Sequence, residues 1–141
     1  MMATLIPKIA RTPSARPNEH QPLVLLVDDN RAVREACGVF CERSGFKVAH
    51  AEDAPEALEM ARELRPEAIV LDLVLPSMPG WDVARELRAD DRTSHIPILA
   101  TSGLDATKAE PKARAAGADR YMAKPFDGTT LVRHLRSLLD A

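Results

Sequence analysis

The chain has 141 residues, which is enough for about one globular domain and too few for two. With 45% hydrophobic and 28% charged residues and a formal net charge of -2, its composition is that of an ordinary soluble protein, and the charge gives no support for a nucleic-acid-binding surface. No apolar run approaches the roughly 20 residues that a membrane span requires. We therefore expect a cytoplasmic domain with no membrane contact and no direct contact with nucleic acid.

Residues 1–21 are predicted to form a flexible N-terminal extension. They contain Pro7, Pro13 and Pro17 and show no sustained hydrophobic periodicity. Their apolar pieces are too short and too interrupted to be the apolar region of a secretory signal. The folded domain is predicted over 22–141, where 16 basic and 20 acidic side chains give a balance of -4.

The cysteines and histidines show no metal-ligand spacing. Cys37 and Cys41 lie four residues apart in a predicted helix and match neither a zinc motif nor a disulfide framework. Reduced thiols in or near the core are therefore expected. The histidines are scattered and are assigned no role: His20, His50, His95 and His134.

Strand and helix signals alternate from residue 23 onward. The apolar run 23–27 predicts a buried strand, and Asn30 is the predicted N-cap of a helix that ends near Gly45. The apolar residues of this helix that recur at helical spacing, and are expected to face the core, are Val33, Ala36, Cys37 and Phe40. Residues 46–51 predict a second strand, and Asp53 is the predicted N-cap of a second helix that ends before Pro66.

A third strand is predicted over 69–76, an apolar run that carries one carboxylate, Asp72. Burying this carboxylate without a partner would be costly. Pro76, Pro79 and Gly80 then predict a loop, and Pro111 is an irregularity within a later helix. The remaining predicted elements are a helix over 81–89, a strand over 96–101, a helix over 105–116, a strand over 119–123 and a helix over 126–139.

This alternation predicts an α/β fold, a doubly wound parallel sheet of five strands with helices on both faces. Ligands of such sheets bind at the carboxyl ends of the strands. The polar residues that follow the predicted buried strands all fall at that edge: Asp28, Asp29, Asp72, Ser102 and Lys124.

These residue types suit phosphoryl transfer. Three neighbouring carboxylates require a compensating cation or a shared proton, and oxygen ligands suit Mg²⁺. Lys124 adds a second cation and Ser102 a hydroxyl donor. Asp72 could then act as a nucleophile without a base, because a carboxylate is ordinarily ionised at neutral pH.

At these spacings, residues 22–141 resemble the receiver domain of two-component response regulators. The motifs are the acidic pair Asp28–Asp29, Asp72 followed by Pro76 and Gly80, Ser102, and the run Lys124–Pro125–Phe126. The resemblance implies a flavodoxin-like fold with strand order 2-1-3-4-5, and it is to the stand-alone, chemotaxis-regulator-like members in particular.

The resemblance also implies a role for each site residue. Asp72 would accept phosphate from a sensor histidine kinase or a histidine phosphotransfer protein. Mg²⁺ would be bound by Asp28, Asp29, Asp72 and the backbone carbonyl of Val74. Lys124 would contact the phosphate, and the peptide bond between Lys124 and Pro125 would be cis. Ser102 would be the switch hydroxyl, and Tyr121 would be the aromatic switch.

Phosphorylation is then expected to change the face formed by the fourth helix, the fifth strand and the fifth helix. Because the chain stops about one helix after Lys124, we expect the output to be a separate protein, and a phosphorylation-dependent dimer is a further expectation. The domain would assist its own Mg²⁺-dependent phosphorylation and dephosphorylation without being an enzyme. Val74 and Leu104 are apolar where other members often have polar groups, which predicts slow self-dephosphorylation.

Alternatives remain open. Asp28 and Asp29 could be a helix-capping cluster, and Tyr121 a plain half-buried aromatic residue. An aspartate-nucleophile phosphatase would need a second aspartate where Val74 lies, and a nucleotide-binding domain would need a glycine-rich loop after the first strand. A receiver fold that acts as a phosphorylation-independent interaction module is the remaining alternative.

Overall fold

Strands and helices alternate along residues 20–140, the part of the chain that the computed structural model describes. The predicted extension lies almost entirely outside these residues. The elements are β1 (Leu23–Val27), α1 (Arg31–Arg43), β2 (Lys47–Ala51), α2 (Ala54–Leu64), β3 (Ala68–Asp72), α3 (Gly80–Ala89), β4 (Ile98–Ser102), α4 (Ala106–Ala115), β5 (Arg120–Ala123) and α5 (Gly128–Asp140). All pairings are parallel, in the order β2-β1-β3-β4-β5. The predicted fold and strand order are confirmed.

The core lies on both faces of the sheet. Side chains of a strand alternate between its two faces, so Leu25 and Val27 of β1 join the apolar cluster under α2, α3 and α4. Val24 and Leu26 join the cluster under α1 and α5. This double cover explains why the strands are continuous apolar runs. None of the helices within residues 20–140 is long and apolar enough to cross a bilayer.

The buried face of α1 differs from the predicted one. Its buried residues are Arg34, Gly38 and Cys41, whereas Phe40 is 40% exposed. A Cβ atom on Gly38 would lie 3.0 Å from the ring of His50, so a glycine allows α1 to pack closely against β2. The apolar pattern therefore misplaced the face, because a glycine and an arginine occupy the contact.

Strand β3 ends at Asp72, four residues before the predicted end. The backbone amide of Leu73 still donates to Thr101 at 2.9 Å, and the chain then turns so that the amide of Gly80 donates to Leu73 O at 2.8 Å. Leu73 and Leu75 remain buried within this loop, at 2% and 9% exposure. Leu75 is thus buried beyond the last hydrogen bond to β4, which explains why the apolar pattern continued past the end of the strand.

Two predicted helix caps differ in what their side chains do. Asn30 caps α1 by accepting a hydrogen bond from the amide of Val33 at 3.1 Å. Asp53 occupies the N-cap position of α2, but its carboxylate instead accepts hydrogen bonds from the amide of Ser77 at 3.1 Å and from the Ser77 hydroxyl. Asp53 therefore links the start of α2 to the β3–α3 loop.

Helix α4 is formed despite Pro111, as predicted. It contacts α3 through a cation–π pair, in which the Nζ atom of Lys112 lies 4.2 Å from the centre of the Trp81 ring. The pair connects the start of α3 to the middle of α4.

Candidate functional site

The acidic residues predicted from the strand ends lie together at the carboxyl edge of the sheet. Each of Asp28, Asp29 and Asp72 has a carboxylate oxygen within 4.8 Å of those of the other two. Asp28 and Asp72 are buried, at 7% and 5% exposure, whereas Asp29 is exposed. The topology thus brings residues from β3 and from the end of β1 into one acidic group that solvent can reach on one side.

Lys124 connects the two buried carboxylates. Its Nζ atom donates to Asp28 Oδ2 at 2.8 Å and to Asp72 Oδ2 at 3.0 Å. Burial lowers the pKa of Lys124, but the hydrogen bonds to Asp28 and Asp72 outweigh this and the pKa is raised. Lys124 is therefore a cation at neutral pH. The Lys124–Pro125 peptide bond that follows is cis, as predicted.

Asp72 is held at both carboxylate oxygens. Oδ1 accepts a hydrogen bond from the amide of Val74 at 2.9 Å, while Oδ2 accepts from Lys124. Burial raises the pKa of Asp72, and the negative charge of Asp28 raises it further. The hydrogen bonds from the Val74 amide and from Lys124 lower it, but the net pKa is raised. The carboxyl group is thus fixed in orientation, and its negative charge is only partly compensated by protein groups.

Ser102, at the end of β4, is connected to Tyr121 of the neighbouring strand β5. Ser102 is fully buried, and its Oγ accepts a hydrogen bond from the amide of Leu104 at 2.8 Å. The Tyr121 hydroxyl, on β5, donates to the backbone carbonyl of Ser102 at 3.4 Å. The amide of Lys124 donates to the same carbonyl at 2.8 Å. The three residues are therefore connected through the Ser102 backbone.

The acidic group fits a divalent metal ion. Hard carboxylate oxygens are the ligands that Mg²⁺ prefers, usually one or two of them together with waters and a phosphate oxygen. When the three carboxylates of this group are ionised, Lys124 leaves two negative charges uncompensated. A divalent cation matches that charge. The predicted contribution of the Val74 carbonyl is untested by these contacts, which involve only the Val74 amide.

Arg34 is a residue at this site that the sequence analysis missed. It is 6% exposed, and its Nη1 atom donates to the backbone carbonyl of Asp28 at 2.7 Å. Its Nε atom donates to Nδ1 of His50, a histidine to which no role had been assigned, at 3.2 Å. The apolar pattern carried no signal for it, because Arg34 lies four and seven residues before Gly38 and Cys41, on a buried face of α1 that the pattern did not mark.

Comparison with known proteins gives a consistent answer. Residues 24–136 match the response regulator receiver domain family. The response regulator MprA of Mycobacterium leprae is 41% identical over 118 residues, which cover 82% of this chain and 50% of MprA. The chain spans about half the length of the curated relatives it matches.

Two solved structures are similar over most of the chain. The chemotaxis response regulator CheY4 of Vibrio cholerae is 29% identical with a TM-score of 0.80, covering 85% of this chain and 100% of CheY4. The receiver domain of a sensor histidine kinase from Pseudomonas aeruginosa, solved with a magnesium ion in its active site cleft, is 28% identical with a TM-score of 0.80, covering 86% and 100%. With the five-stranded topology and the acidic edge, these matches show that the chain belongs to the response regulator receiver domains, the phosphoacceptor signalling domains of two-component systems.

Proposed function

We propose that this receiver domain accepts a phosphoryl group on Asp72 from a histidine kinase or a histidine phosphotransfer protein. The observation that carries the proposal is the fixed Asp72 carboxylate, held by the Val74 amide at 2.9 Å and by Lys124 at 3.0 Å beside the two other aspartates. A carboxylate that is oriented and close to cations can act as a nucleophile toward a phosphoryl group.

In the proposed step, a carboxylate oxygen of Asp72 attacks the phosphorus of a phosphohistidine. A P–O bond forms, the P–N bond breaks, and the imidazole leaves with the electron pair of that bond. Mg²⁺ bound by Asp28, Asp29, Asp72 and the Val74 carbonyl would supply neutralisation of the phosphoryl charge. Lys124, already 3.0 Å from Asp72, would provide the second positive charge.

The proposed switch uses the contacts around Ser102. A phosphoryl group on Asp72 offers new acceptor oxygens, toward which the Ser102 hydroxyl and Lys124 would turn. The Ser102 hydroxyl now bonds with Leu104 in the β4–α4 loop, so its movement would release that loop. Tyr121, bonded to the Ser102 carbonyl, would follow and change the face formed by α4, β5 and α5.

The expectations about partners are part of the proposal. The switched face would bind a separate output protein or, in a phosphorylation-dependent dimer, a second copy of this domain, in the cytoplasm and without direct contact with nucleic acid or membrane. The alternative, an interaction module that works without phosphorylation, predicts the same binding with Asp72 unmodified.

Incubation with a small phosphodonor tests the proposal. With Mg²⁺, we expect intact mass spectrometry to show one added phosphoryl group, and we expect none with a chelator or in Asp72→Asn. Asp91→Asn is the matched control, because Asp91 is an exposed aspartate outside the acidic group. Wild-type protein that stays unlabelled, or Asp72→Asn that is still labelled, would contradict the proposal.

A further inference from the structure

Arg34 is a buried cation that joins three parts of the fold. From α1 it reaches the backbone carbonyl of Asp28 after β1, at 2.7 Å, and His50 of β2, at 3.2 Å. Its Nη2 atom also lies 3.9 Å from the carboxylate of Glu52. Hydrogen bonds from a guanidinium group are stronger than those between neutral groups, so the bond to the Asp28 carbonyl restrains the position of that carbonyl.

The carbonyl that Arg34 holds belongs to the peptide group between Asp28 and Asp29. A peptide group is planar, so fixing its oxygen fixes the plane and the direction in which the chain continues to Asp29. The amide of Asp28 is held as well, by the carbonyl of Ala51 at 3.1 Å, and Oδ1 of Asp28 accepts from the amide of Asn30 at 2.9 Å. The backbone before Asp29 is therefore anchored on both sides.

Asp29 depends on this anchoring more than the other two aspartates do. Asp28 and Asp72 are buried and each receives a hydrogen bond from Lys124, whereas Asp29 is exposed. Yet a carboxylate oxygen of Asp29 lies within 4.8 Å of those of the other two. The position of an exposed side chain is set largely by its own backbone, and Arg34 holds that backbone.

We infer that Arg34 is a positioning residue for the divalent-cation site, which keeps the Asp29 carboxylate beside Asp28 and Asp72. This inference rests on the proposed function, in which the three aspartates bind Mg²⁺. Residues that orient the ligands of a metal typically change its affinity by about 10- to 100-fold when they are replaced. Arg34 acts through the peptide group rather than on a carboxylate, so we expect the lower end of that range.

Arg88 provides a matched control. It is also an arginine whose guanidinium group donates to backbone carbonyls, those of Ile96 at 2.7 Å and of Ser94 and Gly117 at 3.0 Å. These carbonyls precede β4 and β5, at the amino edge of the sheet, away from the acidic group. Arg88→Gln should therefore destabilise the fold through the same kind of lost contact without affecting metal binding.

The test measures Mg²⁺ affinity of the full chain by calorimetric titration, beside thermal unfolding of each variant. We expect Arg34→Gln to raise the Mg²⁺ dissociation constant about tenfold. Arg34→Lys should have an intermediate effect, because an ammonium group can reach the Asp28 carbonyl but cannot also hold His50. Arg88→Gln should match the wild type. In phosphorylation with a small phosphodonor, the half-saturating Mg²⁺ concentration should rise in parallel, while the rate at saturating Mg²⁺ stays close to that of the wild type.

An unchanged dissociation constant in both Arg34 variants would overturn the inference and leave the proposed function intact. An equal loss of affinity in Arg88→Gln would also overturn it, because the effect would then follow general stability. If Arg34→Gln does not fold, Arg34→Lys decides by the same criterion. A wild-type protein that binds no Mg²⁺ would instead overturn the proposed function, and this inference with it.

Discussion

At the scale of single residues, the burial of Asp72 has a cost in stability. It is 5% exposed, and a second buried carboxylate, Asp28, shares its one ammonium partner. Burial raises the pKa of Asp72 above its ordinary value, so the folded protein holds that proton to higher pH than the unfolded chain does. Ionisation of Asp72 therefore reduces the free energy of unfolding.

Asp72→Asn should make the protein more stable at pH 7 in the absence of divalent ions, by about 1 kcal/mol. Asparagine keeps the shape without the charge, and Lys124 retains Asp28 as a partner at 2.8 Å. Below the ordinary aspartate pKa of about 3.9, Asp72 is protonated in both states, so the gain should shrink as the pH falls from 7 toward 4. Urea unfolding at several pH values measures this.

Asp53→Asn is the control of opposite sign. The hydrogen bond from Ser77 lowers the pKa of Asp53, so its ionised form is favoured by folding and its replacement should reduce stability at pH 7. If Asp72→Asn were no more stable than the wild type at pH 7, the prediction that the charge of Asp72 lowers the free energy of unfolding would be wrong.

The side chains flanking the site predict a long-lived phosphoryl group. Val74 and Leu104 are apolar and are 53% and 46% exposed, so they offer no hydrogen bond to an attacking water molecule. Val74→Asn should speed hydrolysis about fivefold, the equivalent of one net hydrogen bond of about 1 kcal/mol, whereas Val74→Ala should not. Phosphate loss can be timed by mass spectrometry after the donor is removed. A wild-type lifetime of only seconds would contradict the prediction.

At the scale of elements, the β3–α3 loop packs closely against the backbone of Asp72. It is fastened to α2 through Asp53 and Ser77, and at its end Gly80 lies against the backbone of β3. A Cβ atom on Gly80 would lie 2.5 Å from the carbonyl oxygen of Asp72 and 2.6 Å from Leu73 Cα. Backbone atoms cannot rotate away from such a contact as a side chain can.

Gly80→Ala should therefore displace the backbone of Asp72. We expect a loss of about 1–3 kcal/mol in the free energy of unfolding, together with slower phosphorylation by a small donor. Gly103→Ala is the matched control, since a Cβ atom there would meet nothing within 4 Å, and it should leave both quantities nearly unchanged. Equal behaviour of the two variants in urea unfolding and in phosphorylation would show that the close approach does not matter.

At the scale of the whole molecule, the strand ends were the most informative part of the sequence. The parallel topology carries Asp28, Asp72 and Lys124 to one edge whatever their separation along the chain, and their contacts are now observed. The fold could be predicted because strands that are covered on both faces must be apolar throughout, so each strand is a continuous apolar run in the sequence. The individual roles of the site residues remain predictions.

Other features could not be predicted because they depend on backbone atoms. Arg34 donates to the backbone carbonyl of Asp28, and every residue type has such a carbonyl, so the sequence does not identify this contact. The end of β3 was mispredicted because Leu73 and Leu75 stay buried beyond the strand. The buried face of α1 was mispredicted because Arg34 and Gly38, neither of which is a large apolar residue, lie on it. Hydrophobic patterns report burial, and they report neither pairing nor close approach.

The contact between Trp81 and Lys112 has one more consequence. The chain contains a single tryptophan, so its indole emission comes from one place, under a lysine of α4. Because α4 belongs to the face that phosphorylation is proposed to change, the protein carries an intrinsic fluorophore beside the proposed switch. If phosphorylation moves that helix as proposed, the indole emission should change in real time, with no dye attached and no residue replaced.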